Sequence, residues 1–156
     1  MKLATVVLAA GEGTRMKSRL SKILHPLAGK PIAQYALDIA MHLGAEETVF
    51  VIGKNSDEIR HTLGERGVSY AYQAERKGTG HATLQARSLL QGQSELVLVY
   101  YGDMPLLKAE SLKKLVENQE QGRTALTMLT LINDDSMGFG RVIRAPDGRV
   151  LEIVEE

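Results

Sequence analysis

Short apolar runs alternate along this chain with segments of helical spacing, and this alternation limits the fold more than any other feature. The runs LATVVL (3–8), TVFVI (48–52) and LVLVYY (96–101) are apolar and rich in β-branched residues, as strands covered on both faces are. Helical patterns lie between and after them. The sequence therefore predicts an α/β fold, with a mostly parallel, Rossmann-like sheet and helices on both faces.

The remaining elements follow from hydrophobic period and turn residues. The predicted helices cover 31–43, 56–63, 79–90 and 109–118, and the further predicted strands cover 68–72 and 124–132. A β-ribbon is predicted near the end, from Gly140 to Arg144 and from Val150 to Glu155, around Pro146-Asp147-Gly148. Because no repeat, low-complexity tract or linker interrupts the pattern, we expect residues 1–156 to belong to one domain with its own core.

The composition limits the kinds of molecule that this chain is expected to bind. The 156 residues include 19 basic and 19 acidic side chains, so the formal net charge is zero. Nucleic acid and anionic membrane surfaces are therefore not expected partners, and any bound anion needs a local group of ligands. The chain has no cysteine, which excludes disulfides and thiolate metal sites and fits a reducing compartment. With no targeting pattern at the N-terminus, we expect a cytoplasmic protein.

The loop LAAGEGTRMKS follows the first apolar run. Gly11 and Gly13 would let backbone N–H groups approach an anion, and Arg15 and Lys22 could pair with phosphate oxygens. Both the dinucleotide fingerprint and the P-loop need a glycine where Met16 stands. The residues alone leave two readings open, a phosphate cradle and a plain glycine-rich turn with solvated cations.

A second unusual loop is QAERKGTGHA, residues 73–82. Gln73 can both donate and accept hydrogen bonds, which suits it to reading the edge of a nucleobase. Gly78 and Thr79 open the next helix, where Thr79 could equally be an ordinary N-cap. For His81 a capping or partly exposed role is favoured over a catalytic one.

The third loop, YYGDMP, follows the most apolar run. Asp103 stands just past the predicted strand, where a carboxylate can hold Mg²⁺ together with substrate phosphates. The alternative is an Asx-turn or a helix cap. Because the carboxyl ends of parallel strands meet at one edge of a sheet, we expect all three loops to lie together.

These motifs are similar to those of a known family. LAAGEGTRM-x-S-x-x-x-K with LHPLAGKPI resembles the signature of the nucleotide-sugar pyrophosphorylases, and QAERKGTGHA, YGDMPL and GFGRVIR…IVEE narrow the resemblance to the uridylyltransferase domain of bacterial N-acetylglucosamine-1-phosphate uridylyltransferases. The likeness covers essentially the whole chain and implies that residues 1–156 are the nucleotide-binding part of a uridylyltransferase domain. It implies the nucleotide-diphospho-sugar transferase (GT-A-like) fold and transfer of a uridylyl group from UTP to N-acetylglucosamine 1-phosphate, with Mg²⁺ as cofactor.

The resemblance also implies roles for individual residues. Arg15 and Lys22 would be the catalytic cations, Asp103 the Mg²⁺ ligand, and Gly140 and Glu155 the sugar-binding residues. The implied nucleotide-binding positions are Leu8, Ala9, Ala10, Gly11, Gly13, Thr14, Gln73, Gly78, Thr79, Tyr101, Gly102 and Asp103.

The chain departs from the family pattern in three respects. Glu12 stands where the family often has Lys or Gln, and Ser21 stands where it often has Pro. In the family the uridylyltransferase domain continues beyond IVEE, and the later part supplies one Asn to the sugar pocket and one Asn to the Mg²⁺ site. An acetyltransferase β-helix follows that domain. The resemblance also allows an oligomer for the intact enzyme. The sequence leaves open an active uridylyltransferase domain, an inactive nucleotide-binding fragment, a sister enzyme for another base or sugar, and three loops that are mere turns.

Overall fold

The computed structural model describes residues 1–54, 56–65, 67–75, 77–122, 124–134, 138 and 140–154. The chain divides into two compact units, Met1–Val116 and Glu117–Glu156. The described strands are β1 (Leu3–Leu8), β2 (Pro26–Leu27), β3 (Lys30–Pro31), β4 (Glu47–Ile52), β5 (Ser69–Tyr72), β6 (Leu96–Tyr101), β7 (Arg141–Arg144) and β8 (Val150–Val154). The described helices are α1 (Ile32–His42), α2 (Ser56–Leu63), α3 (Thr79–Gln85), α4 (Arg87–Leu90) and α5 (Ala109–Gln121).

The larger unit is built on a four-stranded parallel sheet in the order β5-β4-β1-β6. Leu8 pairs in register with Val51 on one side and with Tyr101 on the other, so these strands end at one edge. The chain runs from β1 outward to β4 and β5 and then returns to the opposite side of β1 for β6. The strand order therefore reverses between β1 and β6, which is the position where open parallel sheets bind ligands.

Two apolar layers cover the two faces of this sheet. Because successive strand side chains point to opposite faces, Val7 and Phe50 belong to one layer while Val6 and Val49 belong to the other. Residues of α1, α2 and α5 complete the first layer, and small residues of α3 and α4 complete the second. The predicted α/β architecture with helices on both faces is confirmed.

Most predicted bounds in this unit agree with the structure to within a few residues, with one interruption. The helix predicted over 79–90 is divided at Ala86, whose N–H bonds to the Thr83 carbonyl in a tightened turn. Ala82, Ala86 and Leu90 nevertheless all face the sheet, because their spacing of four residues keeps them on one side. None of the helices in the described ranges is both long and apolar enough to cross a membrane.

The smaller unit corrects one prediction and confirms another. Residues 124–132 form no regular secondary structure, so the strand predicted there is wrong. Leu126 is 72% exposed and Leu131 71% exposed, because β-propensity and alternation make a strand only where a neighbouring strand pairs with it. The predicted ribbon is present as the antiparallel pair β7–β8, with Val142 opposite Ile153. Glu155 lies outside the described residues.

Candidate active site

The loop after β1 begins as a continuation of the strand. The Ala9 N–H donates to the Val51 carbonyl at 2.9 Å, which holds Ala9 in the buried layer, while Ala10 is half-buried and Gly11 is exposed. Among the described residues, no atom beyond the chain neighbours lies within 4 Å of where a Cβ on Gly11 would stand. The backbone at Gly11 is therefore accessible to a ligand.

Gly13 and Lys22 make a close contact that only glycine permits. Gly13 has φ +60°, and a Cβ built on it would stand 2.6 Å from Lys22 Cβ. Lys22 belongs to a 3₁₀ turn that is anchored in the core, because Ile23 and Leu24 of the same turn are buried. Gly13 is thus required both by its left-handed backbone and by the passage of Lys22 across it.

Arg15 and Thr14 lie on the exposed part of this loop. Both belong to a 3₁₀ turn, Thr14–Met16, that follows Gly13 directly. No residue of that turn is buried, and Arg15 is exposed to solvent. An anion approaching Gly11 and Gly13 from solvent would reach this cation without displacing core side chains.

The loop after β6 reaches the loop after β1 through backbone and side chain. The Gly102 N–H donates to the Leu8 carbonyl at 2.9 Å, and a Cβ on Gly102 would stand 3.0 Å from Val7 Cγ1. Lys22 Nζ forms an ion pair with Asp103 Oδ2, and the two side chains are 33% and 29% exposed. The glycine loop, its lysine and the carboxylate therefore form one connected group.

Gln73 occupies the far side of the same edge. Its N–H donates to the Ile52 carbonyl at 2.9 Å, and the residue is only 5% exposed. Its side-chain Nε2 lies 3.4 Å from the Gly78 carbonyl and 3.0 Å from His81 Nδ1. Gly78, with φ +91°, is the N-cap of α3, and Thr79 is the first helical residue, so the reading of Thr79 as the N-cap is wrong.

Three loops predicted separately thus lie at one edge of one sheet. With neighbouring strands about 4.8 Å apart, the three intervals from β5 to β6 span about 14 Å. Tyr101 is the last residue of β6 and is exposed. The edge therefore offers an elongated ligand a buried amide at one end and a cation–carboxylate pair at the other.

The residues present fit a hard divalent cation that is coordinated mainly by phosphate oxygens of a bound ligand and only by one protein side chain. Among the described residues, no cluster of three or more His, Cys, Asp or Glu side chains has the geometry to hold a metal ion. Asp103 offers a single carboxylate, which is already in an ion pair with a cation, the ammonium group of Lys22. One protein carboxylate completed by phosphate oxygens is an arrangement that suits Mg²⁺.

The two predicted sugar-binding residues do not belong to the described part of the larger unit. Gly140 is an exposed residue directly before β7 in the smaller unit. Glu155 lies outside the described residues. Their role stays a prediction from the family resemblance.

One pair of residues at the edge was missed in the sequence analysis. Glu12 Oε1 lies 3.7 Å from Lys54 Nζ, which follows β4. Gly53 brings that loop close, since a Cβ there would stand 3.2 Å from the Ala10 carbonyl. The signal was present in the sequence, because Gly53 and Lys54 directly follow the buried run TVFVI as the other loops follow theirs.

A glycine-lined turn, adjacent cations and one carboxylate at the switch point of a parallel sheet define a class of nucleotide-handling α/β proteins. The chain belongs to the family of MobA-like NTP transferase domains, which matches residues 5–135.

Within that class, the chain is similar to curated proteins named bifunctional protein GlmU. It is 44% identical over 155 residues to the protein of an Exiguobacterium species, covering 99% of this chain and 34% of the relative. It is 47% identical over 155 residues to the protein of Chromohalobacter salexigens, covering 99% of this chain and 33% of the relative. The chain spans about one third of the length of these relatives, and the family resemblance inferred from the sequence is confirmed.

Solved structures share the fold at low identity. A nucleotidyl transferase from Methanothermobacter superposes with a TM-score of 0.65 at 22% identity, covering 74% of this chain and 57% of that one. The manganese complex of Rv0371c from Mycobacterium tuberculosis has a TM-score of 0.65 at 19% identity, covering 78% and 61%. These structures support the parallel-sheet fold of the larger unit.

Proposed function

We propose that this chain carries a uridylyltransferase site that forms UDP-N-acetylglucosamine and pyrophosphate from UTP and N-acetylglucosamine 1-phosphate. The observation that carries the proposal is the Lys22–Asp103 ion pair beside Gly13, at the point where the strand order reverses. The pair places a cation and a carboxylate next to a stretch of backbone that a phosphate can reach. Similarity to the GlmU proteins supports the choice of substrates.

The reaction is a displacement that needs no protein nucleophile. A phosphate oxygen of the sugar phosphate forms a bond to the α-phosphorus of UTP, while the bond from that phosphorus to the bridging oxygen of the β-phosphate breaks. Pyrophosphate leaves with that oxygen. Because both reactants are anions, the protein must hold them together and neutralise charge on the α-phosphate and the leaving group.

Charge neutralisation, recognition of the base and contact with the sugar are assigned to different residues, according to where each lies along the sheet edge. Lys22 and Arg15 neutralise the triphosphate, around which the loop from Gly11 to Arg15 wraps. The backbone from Leu8 to Gly11 lies against the uracil and the ribose. Gln73, with Gly78 and Thr79, reads the base at the far end of the edge. Tyr101 and Gly102 line the junction between nucleotide and sugar.

Asp103 is the residue that would hold Mg²⁺. The ion, when bound, supplies charge neutralisation at the phosphate oxygens. In the described arrangement Asp103 also forms an ion pair with Lys22 Nζ, while the aliphatic part of the Lys22 side chain passes close to Gly13. Gly140 and Glu155 complete the proposal as sugar-binding residues, on the family resemblance alone.

A second candidate is nucleotide binding without turnover. In the described residues the edge offers Asp103 without a cluster of further metal-binding side chains. A site with one metal ligand would bind a nucleotide and still transfer it slowly or not at all.

Pyrophosphate release from UTP and N-acetylglucosamine 1-phosphate tests the proposal. We expect Mg²⁺-dependent release that falls by about two powers of ten in Arg15→Ala or Lys22→Ala, the scale of removing one charge-stabilising group. Arg19→Ala is the matched control, since Arg19 is an exposed cation of the same loop with no assigned role. Near-normal turnover in both site variants would contradict the assignment. UTP binding with no pyrophosphate release would favour the second candidate.

A further inference from the structure

The Asp103 carboxylate is assigned to two different cations. In the structure its Oδ2 forms an ion pair with Lys22 Nζ, whereas the proposed function assigns the same carboxylate to Mg²⁺. At a given distance a divalent cation and an ammonium repel each other twice as strongly as two unit charges, so one carboxylate does not hold both without a further anion. Lys22 and a divalent cation therefore compete for Asp103.

The surroundings of Asp103 offer no substitute set of ligands. Within the described ranges, no group of three or more His, Cys, Asp or Glu side chains is arranged to hold a metal ion. Glu12, a second carboxylate of this edge, contacts another cation, with its Oε1 3.7 Å from Lys54 Nζ. Without phosphate oxygens, a divalent cation would therefore meet a single carboxylate whose charge Lys22 already balances.

The ammonium of Lys22 can change partner while the backbone of Lys22 stays in place. Ile23 and Leu24 of its 3₁₀ turn are buried, and Lys22 Cδ lies 3.3 Å from where a Cβ on Gly13 would stand. An anion held at the Gly13 backbone would thus lie beside the lysine stem. The ion pair is open to water, because the Lys22 and Asp103 side chains are 33% and 29% exposed, so separating the two charges costs little stability.

We propose that Lys22 blocks the access of divalent cations to Asp103 until a nucleoside triphosphate draws the ammonium away. The phosphates supply negative charge for both cations, so that Lys22 moves to a phosphate oxygen and the carboxylate becomes available for coordination. The chain then takes up metal and nucleotide together and binds little metal alone. This inference rests on the proposed function, in which Asp103 is the metal ligand, and it gives Lys22 a second role besides charge neutralisation.

Titration with Mn²⁺ in the absence of nucleotide measures this block directly. Mn²⁺ prefers oxygen ligands as Mg²⁺ does, and it is paramagnetic, so its presence at Asp103 broadens the NMR amide signals of Gly102 and Asp103. In Lys22→Met, which keeps most of the lysine stem, we expect the Mn²⁺ concentration for half-maximal broadening to fall by about tenfold or more, the scale of removing an adjacent cation. Lys22→Gln, a second neutral variant, should give the same result.

Three control proteins separate this effect from a general change of charge. Lys22→Arg keeps a cation at the carboxylate, and Arg19→Met removes an exposed cation of the same loop, so both should stay within about twofold of wild type. The double variant Lys22→Met/Asp103→Asn should lose the gain in Mn²⁺ affinity, because that gain requires the carboxylate.

Calorimetric titration with UTP in the presence of EDTA tests the competition from the nucleotide side. Asp103→Asn releases Lys22 and should tighten the binding of metal-free UTP by about threefold or more. The same substitution in the Lys22→Met background should give a smaller gain, because no ammonium is left to release. Equal gains in the two backgrounds would show that Asp103 acts on UTP only through its charge, and would contradict the competition for Lys22.

The outcomes distinguish this inference from the proposed function, because the Mn²⁺ titration needs no nucleotide. If wild type binds no UTP, the proposed function fails, and the release of Lys22 by a triphosphate fails with it. If wild type binds UTP but neither neutral variant at Lys22 gains Mn²⁺ affinity, or the gain persists in the double variant, the block by Lys22 is overturned while the uridylyltransferase site stands.

Discussion

Lys22 is paired with Asp103 across 81 positions of the chain, and the pair joins the loop after β1 to the loop after β6. Gly13 makes the contact possible, because a side chain there would collide with the lysine stem. Cation, carboxylate and glycine backbone are therefore assembled before any ligand binds. Such preorganisation lowers the cost of binding a charged nucleotide.

The ion pair is expected to serve binding more than stability. Both side chains are about one third exposed, so Lys22→Met, which keeps most of the stem, should change the free energy of unfolding by less than about 1 kcal/mol. UTP affinity should fall by about tenfold or more, because a cation at the phosphates is lost. Urea denaturation and calorimetry on the same samples measure the two effects. A large loss of stability with unchanged UTP affinity would show the pair to be structural.

Gly13 should be sensitive to a single methyl group. Gly13→Ala must adopt a left-handed backbone and displace Lys22 Cβ, so we expect a loss of about 1–3 kcal/mol in the free energy of unfolding. Gly11→Ala is the control for stability, since the described residues leave its Cβ position open. Chemical denaturation of both variants is the measurement. Equal stability of the two would mean that Gly13 is not constrained by Lys22.

The charges of Glu12 and Lys54 should act on nucleotide affinity in opposite directions. Glu12→Gln removes a negative charge beside the phosphate-binding loop and should tighten UTP binding by about two- to fivefold at low salt. Lys54→Met should weaken it by a similar factor. Both effects should shrink as salt is raised to about 0.5 M, because exposed charges are screened. Effects that persist at high salt would point to a change in loop structure instead.

Tyr100 is expected to make the free energy of unfolding depend on pH in the alkaline range. Its hydroxyl donates to the Ala36 carbonyl at 2.8 Å, and burial raises the pKa of this phenol. Below about pH 10 the phenol is protonated in the folded and unfolded chain, and Tyr100→Phe should cost about 1 kcal/mol of stability. Above about pH 10 the unfolded chain loses the proton while the folded chain keeps it, so wild type loses stability that the variant does not lose. Urea denaturation at pH 8 and pH 11 should show the difference shrinking; a constant difference would contradict this assignment.

The parallel sheet and its loops could be predicted because they follow from local rules. β1 and β6 match their predicted bounds residue for residue, since buried parallel strands are continuous apolar runs. The rule that such strands end at one edge also predicted that Gly13 and Asp103 would be neighbours. The direct pairing of Lys22 with Asp103 could not be predicted, because it depends on how the 3₁₀ turn at Lys22 folds back over Gly13.

One error shows where pattern alone fails. Residues 124–132 alternate as a strand would, but pairing is a property of neighbours that the segment's own sequence does not contain. His81 is half-buried, in line with its expected partly exposed role, but its contacts with Gln73 and Gln85 could not be predicted, because they form only once α3 is placed against the end of β5. In both cases tertiary context, rather than local propensity, decided the outcome.

All the residue roles proposed for this chain require Mg²⁺-assisted binding of UTP at the edge shared by Gly13 and Asp103. Calorimetric titration of this 156-residue chain with UTP, with and without Mg²⁺, tests it for wild type and for Asp103→Asn. We expect one saturable site with a dissociation constant between about 1 μM and 1 mM, tightened by Mg²⁺ in wild type but not in Asp103→Asn. Absence of saturable UTP binding to wild type, or an equal Mg²⁺ effect in both proteins, would contradict the account.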